Sequence, residues 1–69
     1  MPEGLHNQLK DIRGELGLTQ AQLAEAVGVT RKTINTVENG VFVPSTLLAL
    51  KIARAVGRPV EQIFFISPG

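Results

Sequence analysis

Residues 19–40 constrain the fold of this chain more than any other segment. Their apolar side chains recur at the three- and four-residue spacing of a helix, and Gly28 divides the segment into two short helices joined by a tight turn. Thr19 is a good N-cap for the first of them, and a glutamine three residues later completes a capping box. Thr30 can cap the second helix, which Gly40 ends. The pattern therefore predicts two consecutive capped helices.

The remaining chain follows the same periodicity, so we expect an all-α fold of five short helices. A stripe of apolar residues predicts a first helix over residues 4–16. A serine caps a fourth helix over roughly 46–56 that is apolar nearly all round, which is typical of a helix buried on more than one side. A short fifth helix opens at Pro59, and residues 65–69 form a tail without strand alternation. The stripe of the first helix consists of Leu5, Leu9, Ile12 and Leu16.

Composition limits the kinds of site that the chain can hold. Its 69 residues fit a single domain, 1–69, with the two-helix motif at about 19–39. There is no cysteine and only one histidine, so a disulfide is excluded and a zinc ion would have almost no ligands. The sequence offers no Ser/His/Asp constellation, no glycine-rich phosphate loop and no paired carboxylates on one helix face. We expect no enzymatic activity, no cofactor and no metal site.

Hydropathy gives no indication of a membrane partner. No apolar run approaches the roughly 18 residues of a transmembrane helix, and the N-terminus lacks a signal-peptide pattern. No small-molecule pocket is evident in so small a core. We expect a cytoplasmic protein.

The outer side of the helix over residues 30–39 carries the clearest functional signal. Its polar side chains are of the types that hydrogen-bond base edges and phosphates, on a scaffold that fits the major groove of DNA. The net charge of only +1, from seven basic and six acidic residues, weakens this interpretation, because non-specific affinity for DNA comes from Lys and Arg. The arrangement of the residues therefore indicates that the partner is double-stranded DNA, whereas the composition alone does not. These outer side chains are Arg31, Lys32, Asn35, Thr36 and Asn39.

The spacing of many positions at once resembles the Cro/C1-type (XRE) helix-turn-helix family. The residues that carry the resemblance are Leu18-Thr19-Gln20-x-x-Leu23-Ala24-x-x-Val27-Gly28-Val29-Thr30-x-x-x-Ile34-x-x-Val37-Glu38-Asn39-Gly40, then Pro44-Ser45, Leu48-Ala49-Leu50-Lys51-Ile52-Ala53 and Val60-Glu61-Gln62-Ile63-Phe64. They cover about residues 7–64 and look like the short stand-alone regulators of the family. The resemblance implies a lambda-repressor-like DNA-binding domain, a compact five-helix bundle that usually binds operator DNA as a dimer.

The resemblance also implies a role for each polar position. Gln20 occupies the position that holds a phosphate beside the groove, where free helix amides and the helix dipole favour an anion. Thr36 is a base-contact position, and Asn39 is placed to hold a phosphate beyond the helix end. Arg13 and Glu38 match an ion pair between the first and third helices. The implied DNA-binding set is Gln20, Thr30, Arg31, Lys32, Thr33, Asn35, Thr36 and Asn39.

Two departures from the family pattern bear on how the chain binds. Val41 and Phe42 stand where relatives often carry a basic residue, so one phosphate contact is missing. Leu47 stands where a polar residue is usual, and the tail adds Phe65 and Ile66, more apolar surface than so small a core can hold. Contiguous exposed apolar area of this kind usually marks an interface. We expect Leu47, Phe65 and Ile66 to form a homodimer interface.

The sequence thus favours a sequence-specific, double-stranded DNA-binding transcriptional regulator, acting as a repressor. It would insert the helix over residues 30–39 into the major groove and bind a palindromic operator as a homodimer. Two alternatives remain open: an antitoxin that binds both a toxin and its own promoter, and a protein-interaction module without DNA binding. The low net charge favours the second alternative, and the polar outer face opposes it.

Overall fold

Five helices follow one another along the chain, and a short strand lies at each end of the series. The computed structural model describes residues 4–66. In chain order the elements are β1 (Leu5–Asn7), α1 (Leu9–Glu15), α2 (Gln20–Val27), α3 (Arg31–Glu38), α4 (Thr46–Val56), α5 (Val60–Ile63) and β2 (Phe64–Ile66). The predicted five-helix architecture is therefore confirmed, with two strands in addition.

The two strands correct the all-α prediction and the start of the first helix. β1 pairs antiparallel with β2, so that Leu5 lies opposite Ile66 and His6 opposite Phe65. The helix predicted to begin at residue 4 begins instead at Leu9. The first two residues of the predicted tail belong to β2, and residues 67–69 lie outside the described part of the chain.

Asn7 fixes the point at which β1 gives way to α1. Its side-chain oxygen accepts a hydrogen bond from the amide of Leu9 at 3.1 Å, and its Nδ2 donates to the carbonyl of Val37 at 2.9 Å. The amide of Gln8 donates to the carbonyl of Ile63 at 3.0 Å. Backbone groups ahead of α1 are thus satisfied by the strand pair, by the carbonyl of Ile63 at the end of α5 and by the Asn7 side chain, rather than by another helical turn.

The predicted starts of α2, α3 and α4 are confirmed by side-chain hydrogen bonds. Thr19 Oγ1 accepts from the amide of Gln22 at 3.0 Å, and Gln22 Oε1 accepts from the amide of Thr19 at 2.8 Å, which closes the capping box. The side chains of Thr30 and Ser45 accept from the amides of Thr33 and Leu48, which caps α3 and α4. Gly28 ends α2 with φ at 75°, a conformation that disfavours a side chain and turns the chain into α3.

Every helix contributes to one hydrophobic core. α4 supplies Leu48, Ile52 and Val56 to this core. The sequence predicted burial on more than one side of α4, but the helix buries a single face. Leu47 and Leu50, on its other side, are 63% and 54% exposed. α4 is the longest helix, and within residues 4–66 no helix is long and apolar enough to cross a membrane. The buried core consists of Leu9, Ile12, Leu23, Ala24, Val27, Ile34, Val37, Leu48, Ile52, Val56 and Ile63.

Candidate nucleic-acid interface

α3 has one side in the core and the opposite side in solvent. Ile34 and Val37 are buried, whereas Arg31, Lys32 and Asn35 are exposed. This division follows from the three- and four-residue spacing of apolar positions in an eight-residue helix. The outward side therefore presents two cations and an amide to any partner that lies along the helix.

An ion pair holds α3 against the first helix. Arg13 Nε donates to Glu38 Oε2 at 2.6 Å and its Nη2 to Oε1 at 3.2 Å, while Nη1 donates to the carbonyl of Leu18 at 2.8 Å. The Glu38 side chain is 2% exposed and that of Arg13 15%. The hydrogen bonds to Glu38 raise the pKa of Arg13 above its ordinary value. The pair implied by the family resemblance is present and fixes the orientation of α3.

Gln20 joins this ion pair. Its Nε2 donates to Glu38 Oε1 at 3.0 Å, which leaves one of the two amide hydrogens of Gln20 for another acceptor. The bond holds the side chain at the first residue of α2 close to the last residue of α3. Sequence reasoning placed Gln20 on the DNA-facing surface but missed this contact, because the two residues meet only through the packing of α2 on α3.

The threonines of α3 use their hydroxyl groups within the helix. Thr30 Oγ1 accepts from the amide of Thr33 at 3.2 Å and lies 3.1 Å from Thr33 Oγ1. Thr36 is half-buried, and its hydroxyl donates to the carbonyl of Thr33 at 2.9 Å. These side chains lie on the predicted surface but offer fewer hydrogen bonds than free threonines would.

Asn35 and Asn39 are linked by a side-chain hydrogen bond. Asn39 Nδ2 donates to Asn35 Oδ1 at 2.9 Å, and both residues are exposed. They stand four positions apart, the separation at which side chains on a helix meet. That spacing was the signal that could have revealed the contact from the sequence.

The three residues predicted to form a dimer interface are exposed but do not share one surface. Leu47 and Ile66 are each 63% exposed and Phe65 is 44% exposed. Because successive strand residues point to opposite faces, Phe65 and Ile66 lie on different faces of the sheet. The Phe65 ring stacks on His6 at a centroid distance of 6.0 Å. The sequence analysis did not select Leu50 for the interface, although this residue of α4 is also exposed.

Among the described residues, the ion pair that lies away from α3 is long and exposed. Arg58 Nη2 lies 3.5 Å from Glu15 Oε1 on an exposed part of the surface. Among residues 4–66, no three His, Asp or Glu side chains group closely enough to hold a metal ion. The pair between Arg13 and Glu38 is therefore the shorter and more buried of the two ion pairs among the described residues.

Comparison with known proteins agrees with this geometry. Residues 9–63 match the helix-turn-helix family model. The HTH-type transcriptional regulator YgzD of Bacillus subtilis, itself uncharacterised, is 44% identical over 63 residues, covering 91% of this chain and 96% of that one. A second uncharacterised HTH-type transcriptional regulator, from Methanothermobacter thermautotrophicus, is 54% identical over 60 residues, covering 86% and 87% of the two chains.

A solved structure shows the same arrangement of helices. The restriction-modification controller protein C.AhdI from Aeromonas hydrophila superposes with a TM-score of 0.75 at 31% identity, covering 78% of this chain and 82% of its own. The family model spans most of the chain, and both sequence relatives match over nearly their whole length. The chain belongs to the Cro/C1-type helix-turn-helix family of DNA-binding transcriptional regulators.

Proposed function

We propose that this protein binds a specific sequence of double-stranded DNA with the outer side of α3 in the major groove. The observation that carries the proposal is the exposure of Arg31, Lys32 and Asn35 on one side of a helix whose other side is fixed in the core. With its side chains an α-helix is about 10–12 Å in diameter, which fits the major groove of roughly 12 Å in width. We further propose that the bound protein represses transcription from a promoter that overlaps its operator.

Each exposed group on this surface has a matching partner on DNA. Arg31 can donate two hydrogen bonds to O6 and N7 of guanine, and Lys32 can reach a base or a phosphate. Gln20, held by Glu38, has one amide hydrogen left for a phosphate beside the first turn of α2. Base contacts from α3 would set the sequence preference, and the phosphate contact would set the position of the helix.

The small net charge supports binding by two copies. A net charge of +1 allows one chain few phosphate contacts, whereas two linked readers bind adjacent half-sites at a high effective concentration. A palindromic operator would carry these half-sites roughly 34 Å apart. The DNA-binding form is therefore proposed to be a homodimer.

The charge pattern indicates which apolar surface joins the two copies. A two-fold interface joins the same patch of both copies, so a patch in which Lys51 and Arg54 lie beside Leu47 would bring like charges together. A shallow cavity of about 270 Å³ between α4 and the sheet has no charged side chain in its lining, which includes Leu5 and Leu50. Ile66 lies opposite Leu5 in the strand pair. We propose that the neutral surface around Leu5, Leu50 and Ile66 is the centre of the interface.

A titration at several salt concentrations tests DNA binding. The protein is mixed with labelled duplexes of mixed genomic sequence, and log affinity is plotted against log salt concentration. We expect a steep loss of affinity with salt, as for proteins that release counterions from DNA. Lys32→Ala should reduce the slope by about one, because a lysine on the outer side of α3 can neutralise a phosphate, whereas Arg54→Ala, which removes a cation from α4, should leave it unchanged. Affinity independent of salt would contradict the proposal and favour a protein-interaction module.

Sedimentation of the unmodified protein at micromolar concentration tests the homodimer. We expect a mass twice the 7.4 kDa of one chain. A species of one chain mass at that concentration would refute the dimer. Repression is tested separately by in vitro transcription, in which added protein should reduce the transcript from a promoter that overlaps the selected operator.

A further inference from the structure

The exposed side of α4 carries an apolar side chain and two cations on one stripe. Leu47 is 63% exposed, and Lys51 and Arg54 are exposed further along the helix. Separations of four and three residues place these side chains on the same face, where they line a shallow cavity of about 250 Å³ together with Leu50. Neither cation takes part in an ion pair within residues 4–66. This face therefore presents unpaired positive charge beside apolar area.

A second cavity extends this face toward the turn between α2 and α3. It has a volume of about 310 Å³ and shares Leu47 and Lys51 with the first cavity. Val29 and Phe42 belong to its lining, and among the described residues of this lining Lys51 alone is charged. The continuous surface, here called the α4 groove, is thus apolar at one end and positively charged at the other. It is formed by Phe42, Leu47, Lys51 and Arg54.

The charge of the α4 groove favours an acidic partner. Glu25 of α2 lines a third cavity with Lys51 and Arg54, so the three side chains together leave one positive charge. A second copy joined by a two-fold axis would bring the same basic patch of both molecules together. A DNA backbone would match the cations but would leave Leu47 against a charged, hydrated surface. Exposed apolar area with a polar rim is typical of a site for another protein, which must then supply carboxylates as well as an apolar side chain.

We propose that the α4 groove binds a short amphipathic segment of another protein, with a large apolar side chain at one end and carboxylates at the other. The apolar side chain occupies the cavity beside Phe42, and the carboxylates pair with Lys51 and Arg54. Burial of the apolar side chain supplies most of the affinity, because exposed ion pairs contribute little each. The inference goes beyond DNA binding and does not depend on it, since none of these three residues belongs to the proposed DNA-reading set.

Selection of peptides from a random displayed library against the full-length protein tests the proposal. We expect enriched peptides to combine a leucine, isoleucine, phenylalanine or methionine with two or more acidic residues. A labelled synthetic copy of the most enriched peptide then measures affinity by fluorescence anisotropy. Enrichment of peptides without acidic residues, or no enrichment above background, would overturn the proposal.

Charge reversal tests the role of the two cations. Lys51→Glu/Arg54→Glu should weaken binding of this peptide by at least about fivefold, because an exposed pair contributes up to about fivefold and both pairs become repulsive. A peptide with lysines in place of its acidic residues should bind this variant more tightly than it binds the unmodified protein. Lys10→Glu reverses an exposed cation on α1 and should change each affinity by less than about twofold, because salt screens charges outside the contact. Equal effects of the two reversals would contradict the assignment.

Truncation of Leu47 tests the apolar part of the contact. Leu47→Ala should weaken peptide binding by more than about fivefold, as expected of a side chain central to an interface. Leu16→Ala, which removes an exposed leucine at the end of α1, should leave it unchanged. Both proteins should keep the melting temperature of the unmodified one, because the changes are on the surface. Equal affinities of the two variants would refute the apolar contact.

A membrane is the other partner that could match a basic and apolar surface, and vesicles of phosphatidylcholine and phosphatidylserine test it. We expect the unmodified protein to remain in the supernatant when these vesicles are sedimented. Sedimentation with the vesicles that Lys51→Glu/Arg54→Glu abolishes would overturn the proposal in favour of a lipid surface. Peptide binding is measured without DNA, so its failure leaves the DNA-binding proposal standing, and the reverse also holds.

Discussion

Truncation of Glu38 to alanine is expected to destabilise the protein strongly. The Glu38 carboxylate is 2% exposed and accepts hydrogen bonds from Arg13 and Gln20. Its removal leaves the Arg13 guanidinium without its counter-charge, and breaking a buried pair in this way costs about 3–5 kcal/mol. Because Arg13 is 15% exposed and gains some hydration, we expect the lower end, about 3 kcal/mol. For a domain of this size that lowers the melting temperature by roughly 12–24 °C.

Thermal unfolding followed by circular dichroism measures the effect, with Arg31→Ala as the control. Arg31 is exposed, so its truncation should change stability by no more than about 0.5 kcal/mol. The double variant Arg13→Met/Glu38→Leu should recover much of the loss, because apolar replacement of both partners leaves no buried charge. Equal melting temperatures for Glu38→Ala and Arg31→Ala would refute the reasoning.

The pH dependence of this pair follows from the pKa of Arg13. Hydrogen bonding to Glu38 raises that pKa in the folded state. A raised pKa on a basic group contributes stability that is fully present below the unfolded value and is lost only as pH rises through the folded value. The contribution of Arg13 is therefore constant at neutral pH and disappears only under strongly alkaline conditions.

Three further predictions concern the turn, the readout and the dimer. Gly28→Val should destabilise by about 1–2 kcal/mol because φ is 75°. No atom would contact the Cβ added at residue 28, so the loss of stability arises from backbone strain. Gly14→Ala, within α1, should instead stabilise the protein. Equal melting temperatures for Gly28→Val and Gly14→Ala would disprove this. Arg31→Ala should cost about 1–3 kcal/mol of operator binding and relax one base pair per half-site, and an unchanged selected motif would exclude the base contact. Ile66→Asp should yield monomers in sedimentation while Phe65→Asp, on the opposite face of β2, stays dimeric, and the reverse result would place the interface on the other face.

Local signals predicted the helices well. Thr19 and Thr30 satisfy backbone amides within three residues of themselves, so their function as caps depends only on neighbouring sequence. The same is true of the left-handed turn at Gly28. The Arg13–Glu38 pair joins distant residues and was accessible only through the resemblance to a family.

The strand pair could not be predicted in the same way. Leu5 stands four residues before Leu9, a spacing that also fits a helix, and its partner Ile66 lies at the other end of the chain. A three-residue strand has too little alternation to compete with that helical pattern. The pairing therefore depends on tertiary structure, as does the bond that places Gln20 against Glu38.

Backbone amide chemical shifts followed by NMR during addition of a selected duplex test the central claim most directly. We expect the largest changes at residues 30–39 and at the start of α2, with small changes along the exposed side of α4 from Leu50 to Arg54. An Arg31→Ala protein should show weaker binding with the same pattern of affected residues. Changes concentrated on α4 or on the sheet, with α3 unaffected, would contradict the assignment of α3 as the DNA-reading helix.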